Sequence, residues 1–329
     1  MPRNRKSPIT PVTTITKSVS GAVTTLQLDN ISAGWEQWFL LLADAHWDSV
    51  SCARDLLDRH LKEARVKQAR IMIFGDWFDA MQGRFDPRRS MDELRPEYRS
   101  ENYYDLLVKY SYEYLKEYAD LIDVFTDGNH ELAVLKNANT NPLDNLIFGL
   151  RTATGANIIH GGYGGWVRFV PVITSVQFQS INLKYFHGAG AEAPVTRGVI
   201  QTNRQAVYLP DADIVVNGHN HNSYWVPIAR ERISHRGKQY IDIQHHVRTP
   251  GYKNEYGDGS SGWAVTKGMV PKPIGAVWMR MWFDAANNDR NHNGEIKLQF
   301  IPDVCGPEAV RIEGASYGGR VFDEDAEGA

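Results

Sequence analysis

Trp38-Phe-Leu-Leu-Leu-Ala43 is the longest clean apolar run of the chain, and such a run suits a strand buried on both faces. From Cys52 to Lys67 the apolar positions Leu56, Leu57, Leu61, Ala64 and Val66 recur with a helix period. Ile71 to Phe74 reads as a second buried strand, Glu97 to Asp120 as a Tyr-rich helix, and Ile122 to Thr126 as a third strand. Strand–helix–strand–helix–strand predicts an α/β domain with right-handed crossovers. Ahead of it, residues 1–20 read as a flexible arm, and Ala22 to Leu28 alternates like an edge strand. Further strands are expected at Asn157 to Ile159, Trp166 to Ile173, Ile181 to Phe186 and Ile214 to Val216. Beyond Val247 Gly and Pro accumulate, followed by strands at Ala276 to Phe283 and Glu295 to Phe300 and by an acidic, frayed end from Phe322 to Ala329. The chain thus divides into an N-terminal arm and edge strand (1–35), a core (36–247) and a C-terminal Gly/Pro-rich loop with closing strands packed on that core (248–329).

Composition narrows the class. With 42% hydrophobic and 23% charged residues in 329, the chain is neither disordered nor collagen-like and can bury a sizeable core. The run at Trp38 is too short to span a bilayer, and residues 1–17 hold no apolar stretch of signal-peptide length, so a cytoplasmic protein with no membrane partner is expected. Cys52 and Cys305 are the two cysteines, too few for a disulfide framework, and they read as small buried residues. A net charge of −3 supplies no global field to recruit nucleic acid, so a phosphate-bearing partner must be held locally.

Five polar clusters fall at predicted strand ends, where open α/β sheets hold their ligands. They are Asp44-Ala45-His46, Gly75-Asp76-Trp77-Phe78-Asp79, Gly128-Asn129-His130-Glu131, His187-Gly188 and Gly218-His219-Asn220-His221. Of the 11 histidines, His46, His130, His187, His219 and His221 sit in these clusters, which makes five separate structural histidines an improbable account. Buried strand ends tolerate several carboxylates and imidazoles only when something positive neutralises them. Carboxylate, imidazole and amide donors without thiolate suit divalent ions such as Mn, Fe or Zn. Asp-x-His and His-x-His put alternate residues on one side of an extended segment, and the glycines before Asp76, Asn129 and His219 allow tight turns.

The ordered series Asp-x-His, Gly-Asp-x-x-Asp, Gly-Asn-His-Glu, His, Gly-His-x-His over residues 44–221 resembles the calcineurin-like metallophosphoesterases. The resemblance implies an α/β four-layer sandwich, two mixed β-sheets flanked by helices. It also implies two divalent metal ions, Mn first, with Fe, Zn or Ni as alternatives. Asp44, His46 and His221 would bind one, Asn129, His187 and His219 the other, and Asp76 both. His130 would be the catalytic imidazole and Asp79 its orienting carboxylate, while Glu131 completes the motif without an assigned role. The implied reaction is phosphoester hydrolysis by a metal-bridging hydroxide attacking phosphorus in line, with His130 donating to the leaving oxygen.

Gly-Asp-Trp-Phe-Asp is closer to the nuclease and lipid-precursor branches of that family, since Ala80-Met81 stands where serine/threonine phosphatases carry Arg-Gly. Most of the chain also resembles phage- and prophage-encoded, DNA-repair-exonuclease-like members, through Met81 to Ser90, Pro194 to Ile200 and Trp263 to Gly275. No DNA-capping domain or coiled-coil segment is recognisable after His221, which argues against an ATPase-coupled nuclease. The expectation is a phosphodiesterase acting on a DNA or RNA end or a nucleotide. A phosphomonoesterase for small molecules or phosphoproteins is the alternative, and a non-catalytic metal-binding protein a second one; a homodimer would fit many relatives.

Other polar residues carry blander expectations. Asp48 reads as the cap of a helix beginning near Ser51, and His160 as structural. His245-His246 through Lys253 reads either as an ordinary surface loop or as one that holds substrate through Arg248, Tyr252 and Lys253. Arg84, Arg88, Arg89, Arg95 and Arg99, interspersed with Asp86, Asp92, Glu93 and Glu97, suggest a solvated, salt-bridged face. Tyr98, Tyr103, Tyr104, Tyr110, Tyr112, Tyr114 and Tyr118 suggest helix packing.

Overall fold

The computed structural model describes residues 15–81, 91–173, 176–177, 180–190, 195–196, 198–257, 262–284 and 294–305. The arm over 1–14, Arg84, Asp86, Arg88, Arg89, Pro194, Arg197, Gly259 and the acidic end from Phe322 lie outside these residues. The chain begins with β1 (Ile15–Ser20), β2 (Val23–Ile31), β3 (Glu36–Leu42), α1 (Arg54–Lys67) and β4 (Arg70–Phe74). It continues with α2 (Tyr103–Leu115), β5 (Ile122–Thr126), α3 (Asn129–Ala138), α4 (Pro142–Thr154), β6 (Ile159–Gly161) and β7 (Gly164–Ile173). Then come β8 (Val176–Gln177), β9 (Ile181–Phe186), α5 (Val199–Tyr208), β10 (Ile214–Asn217) and the hairpin β11 (Tyr224–Ile233) and β12 (Gln239–Arg248). The strands β13 (Ile274–Asp284) and β14 (Glu295–Cys305) close the described chain. Among the described residues no helix is long and apolar enough to cross a membrane.

The strands form two mixed sheets, one ordered β1-β2-β7-β9-β10-β12-β11 with β8 beside β7, the other β14-β13-β3-β4-β5-β6. Between them the inner faces interdigitate: Leu26, Leu28, Phe169, Leu183 and Val216 meet Phe39, Leu41, Met72, Phe74 and Met279. On the outer face of the second sheet, Leu40, Leu42, Ile71 and Ile73 pack against Leu57 and Leu61 of α1, Leu107 of α2 and Leu146 of α4. Near α5, Leu209 and Ala212 cover Val215 on the outer side of the first sheet. This is the expected α/β arrangement of two mixed sheets flanked by helices.

The segments expected to be buried strands became β3, β4 and β5, β5 buried throughout and the other two nearly so. The alternating segment near Ala22 became β2, yet it is not an edge, because β1 pairs with it antiparallel (Ile15↔Leu28). Val66, counted in the α1 period, is 85% exposed, since the helix ends one residue later at a left-handed Gln68. The Tyr-rich helix is shorter than 97–120, with separate short turns at Pro96–Tyr98 and Ala119–Leu121. Its tyrosines pack as expected, Tyr114 stacking 4.2 Å from Trp47. Arg95 is not on a solvated ionic face: it donates to the carbonyls of Ser49 and Cys52. Strands drawn from 15–31, from the middle of the chain and from 274–305 share the two sheets, β13 lying directly against β3.

Residues 245–248, read as loop, belong to β12, with Val247 in the inter-sheet core. His246 is buried and its Nε2 meets Gln244 Oε1 at 2.9 Å; His245 lies 5.9 Å from Trp225, ring over ring. Burial, then the Arg230 guanidinium, push both imidazoles down from 6.5 to about 4. The folded state therefore binds fewer protons than the unfolded one, and stability is lost as pH falls from 6.5 towards 4. We expect His246→Gln to remove about 1 to 3 kcal/mol of that acid destabilisation. Urea midpoints at pH 7 and pH 4.5 would read it; equal losses in both proteins would reject the assignment.

Candidate metal centre

All five polar clusters follow strands that run the same way within their sheets, so their loops gather at one end of the sandwich. β3, β4 and β5 are parallel neighbours, as are β9 and β10. Backbone bonds lace the loops together: Asp44 N donates to Gly75 O (3.0 Å), His46 N to Asp76 O (3.1 Å) and Gly218 N to His187 O (2.8 Å). The turns are tight enough that Asp44, His46, Asp76, His219 and His221 all adopt positive φ, between 47° and 72°. Such conformations cost on the order of 1 kcal/mol or more each and persist only where the surroundings impose them. Gly128 has no room for a side chain, since a Cβ would stand 2.1 Å from Asp76 Oδ1.

The seven expected ligands converge. Asp44 Oδ1 is 3.4 Å from His221 Nε2, and His46 Nε2 is 3.3 Å from the same atom. Asp76 Oδ2 lies 3.0 Å from His187 Nε2; Asn129 Oδ1 lies 3.2 Å from that nitrogen and 2.7 Å from His219 Nδ1. Asp44, His46 and His221 form one group whose donor atoms lie within 4.8 Å of one another, and Asp76, His187 and His219 form a second.

The chemistry of these atoms suits a cation. His187 Nδ1 faces the Phe74 carbonyl at 2.8 Å, which can only accept, so Nδ1 keeps its proton and the Nε2 lone pair is the one that a second proton or a cation would take. Around that lone pair stand oxygens of Asp76, Asn129 and, at 3.9 Å, Asp44. Likewise His46 Nδ1 donates to Asp79 Oδ1 at 2.9 Å, which leaves its Nε2 as an acceptor towards His221. Burial opposes an imidazolium at His187, but Asp76 and then Asp44 overrule it and push the group up to about 10. The same field that draws a proton there would favour a divalent ion, and the donor set fits one.

Supporting groups depart from expectation. The Asp79 carboxylate orients His46, not His130; His130 Nδ1 instead donates to the Asp79 carbonyl. This turns His130 Nε2 towards the centre, 3.8 Å from Asp76 Oδ2, and the His130 ring packs edge-on to His46. Glu131 has a definite task. Its carboxylate accepts from Gly128 N (2.8 Å), Asp76 N (3.1 Å) and Phe78 N (3.0 Å), tying the start of α3 to the loop after β4. Glutamate three residues into a helix is the usual signal for that bond, here without a capping side chain at Gly128. Burial, then Asp76, push Glu131 up to about 8.

Asp48 does not cap α1, whose first turn has no side-chain cap. It is buried, and its carboxylate accepts from Asp79 N (2.7 Å), Ala80 N (3.2 Å) and the Tyr103 hydroxyl. Its place four residues after Asp44, in the same loop, was the available clue. His160 is structural, bridging Asp127 (3.2 Å) and Asp144 (3.0 Å).

None of the three expected substrate-binding residues stands in an exposed loop. Arg248 is buried and donates to the Gly218 carbonyl at 2.7 Å, bracing the backbone before His219. Tyr252 is fully buried in the core beside α1, with its hydroxyl 2.7 Å from His60 Nδ1, so it offers substrate no surface. Lys253 reaches the centre from behind, its Nζ 2.8 Å from Asp79 Oδ1.

No family model and no curated protein matches the chain. Among solved structures it is similar to GAP50, the anchor in the inner membrane complex of Plasmodium, over 81% of this chain and 84% of that one, at 12% identity and a TM-score of 0.40. Vps29 of Chaetomium thermophilum is similar over 80% of this chain and 95% of its own, at 10% identity and a TM-score of 0.32. A predicted phosphoesterase of Streptococcus pneumoniae TIGR4 is similar over 81% and 100%, at 12% identity and a TM-score of 0.27.

Proposed function

We propose that the chain is a calcineurin-like metallophosphoesterase that hydrolyses a phosphodiester, at a nucleic-acid end or in a nucleotide derivative, with two divalent ions, manganese first. The observation that carries this reading is the convergence of donor atoms from Asp44, His46 and His221 in one group and from Asp76, His187 and His219 in a second, each within 4.8 Å, with Asn129 Oδ1 beside His187 and His219. Asp44, His46 and His221 would hold one ion, Asn129, His187 and His219 the other, with Asp76 shared. When bound, such a pair lowers the pKa of water and neutralises charge on phosphate oxygens. The chain's own residues do the rest. His130, its Nδ1–H fixed on the Asp79 carbonyl, presents Nε2 towards the centre and can hold a proton for the leaving oxygen. Asp79 holds His46 in the tautomer that directs Nε2 inward.

The test is turnover of bis-p-nitrophenyl phosphate against p-nitrophenyl phosphate by Mn-loaded protein, with His130→Ala as control. We expect the diester to be preferred and the substitution to abolish its hydrolysis. Preference for the monoester would make the protein a phosphatase, and no turnover above background would leave a metal-binding protein without catalysis.

A further inference from the structure

We propose that Lys253 is a positioning residue of the metal centre, acting through Asp79 on His46, and not a contact for substrate phosphate. The inference rests on the metal-centre reading above. Asp79 Oδ1 is shared: His46 Nδ1 donates to it at 2.9 Å and Lys253 Nζ at 2.8 Å. Both donors are buried, Lys253 being 8% exposed, with Glu255 Oε1 at 3.5 Å as its second carboxylate. Among the described residues Lys253 is the lysine or arginine paired with Asp79. Asp79 is a buried carboxylate that needs a cation beside it, and Lys253 supplies it.

The backbone fixes Lys253 to the loop it serves. Tyr252 N donates to Asp44 O, Ala53 N to Tyr252 O and Asn254 N to Ser51 O, each at 2.8 Å, and Cys52 bridges Lys253 antiparallel. Residues 252–254 thus run alongside the loop that carries Asp44 and His46, and the buried Tyr252–His60 bond anchors them from below. Lys253 cannot leave this place without loosening two candidate ligands. The ammonium acts on the imidazole by locking in place the carboxylate oxygen that orients His46.

The experiment is manganese binding to the metal-free full chain, with free Mn counted by electron paramagnetic resonance, for wild type, Lys253→Met, Asp79→Asn and the double variant. We expect Lys253→Met to weaken one of two Mn equivalents about tenfold and to leave the other unchanged. Asp79→Asn should do the same, and the double variant should bind no worse than Asp79→Asn alone, because one substitution removes the path through which the other acts. A residue that only supported the fold would weaken both equivalents and add to Asp79→Asn. Should Lys253→Met not fold, the double variant, which leaves no buried charge unpaired, carries the comparison with Asp79→Asn. Mn affinity within twofold of wild type in Lys253→Met, or additive losses in the double variant, would overturn the proposal. Failure of the wild type to bind Mn or Zn would instead remove the metal-centre reading on which it rests.

Discussion

If the proposed function holds, Asp76→Ala should lose most of the metal uptake and the Mn-dependent diester hydrolysis together, the rate falling on the order of a thousandfold or more. Asp76 lies between the groups it would join. One carboxylate oxygen is 3.0 Å from His187 Nε2 and 3.8 Å from His130 Nε2, and the other accepts from His130 N at 2.9 Å. Burial favours its neutral form, but His187 and then His130 hold it well below the usual carboxylate range, so it is the anion about which the centre is organised. Removal takes away the one shared negative charge. It also relieves Glu131, whose neutral form Asp76 helps to enforce, so the metal-free variant should keep its fold. Metal content after dialysis, circular dichroism and turnover, measured on one preparation, separate these effects. Two bound Mn per Asp76→Ala chain would contradict its shared position.

His130→Gln should behave in the opposite way, keeping both metals and losing rate by about 10²- to 10⁴-fold. The glutamine amide can still donate to the Asp79 carbonyl, so the loop after β4 stays in place while the titratable ring is gone. The choice matters because His46, Asp79 and His130 also form a group whose donor atoms lie within 4.8 Å of one another. If His130→Gln proved as metal-poor as Asp76→Ala, His130 would belong with the ligands and the proton-holding role would need another residue. Metal content against kcat for the two variants decides between these assignments.

The parts of this protein that were legible from its residues are those whose determinants are local. Ile71 to Phe74 and Ile122 to Thr126 have little choice but to be buried strands, and the expected strand Ile181 to Phe186 coincides with β9 to the residue. The helix α4 carried every local signal, with Asn141 accepting from Asp144 N, Pro142 in the first turn, Leu143, Leu146, Ile147 and Leu150 on one face and a left-handed Gly155. The denser motif just before it outweighs these signals in the sequence. The hairpin β11–β12 was obscured by its polar content and by Pro227, which an outermost strand can accommodate. Within the site, residue type and order suffice to pick out candidate ligands, because convergence at strand ends follows from the topology of any α/β sheet. Which carboxylate serves which imidazole does not follow. Asp79 and Lys253 are 174 positions apart, and nothing near either one announces the other.

β3 has two neighbours of very different origin. On one side lies β4, some thirty residues downstream (Leu41↔Met72); on the other lies β13, more than two hundred residues downstream (Leu41↔Val277). A chain that leaves the ribosome from its N-terminus therefore makes the strand that leads into Asp44 and His46 early and must keep its far edge open until residues 274–284 emerge. Through that interval Phe39 and Leu41 lack Val277 and Met279, and the segment holding Lys253 has not yet been made. The centre is thus a late product of synthesis, assembled when distant contacts close, and such closures are slow and expose apolar edges to other chains. Interrupted synthesis before β13 would yield an adhesive fragment and not a smaller version of the centre.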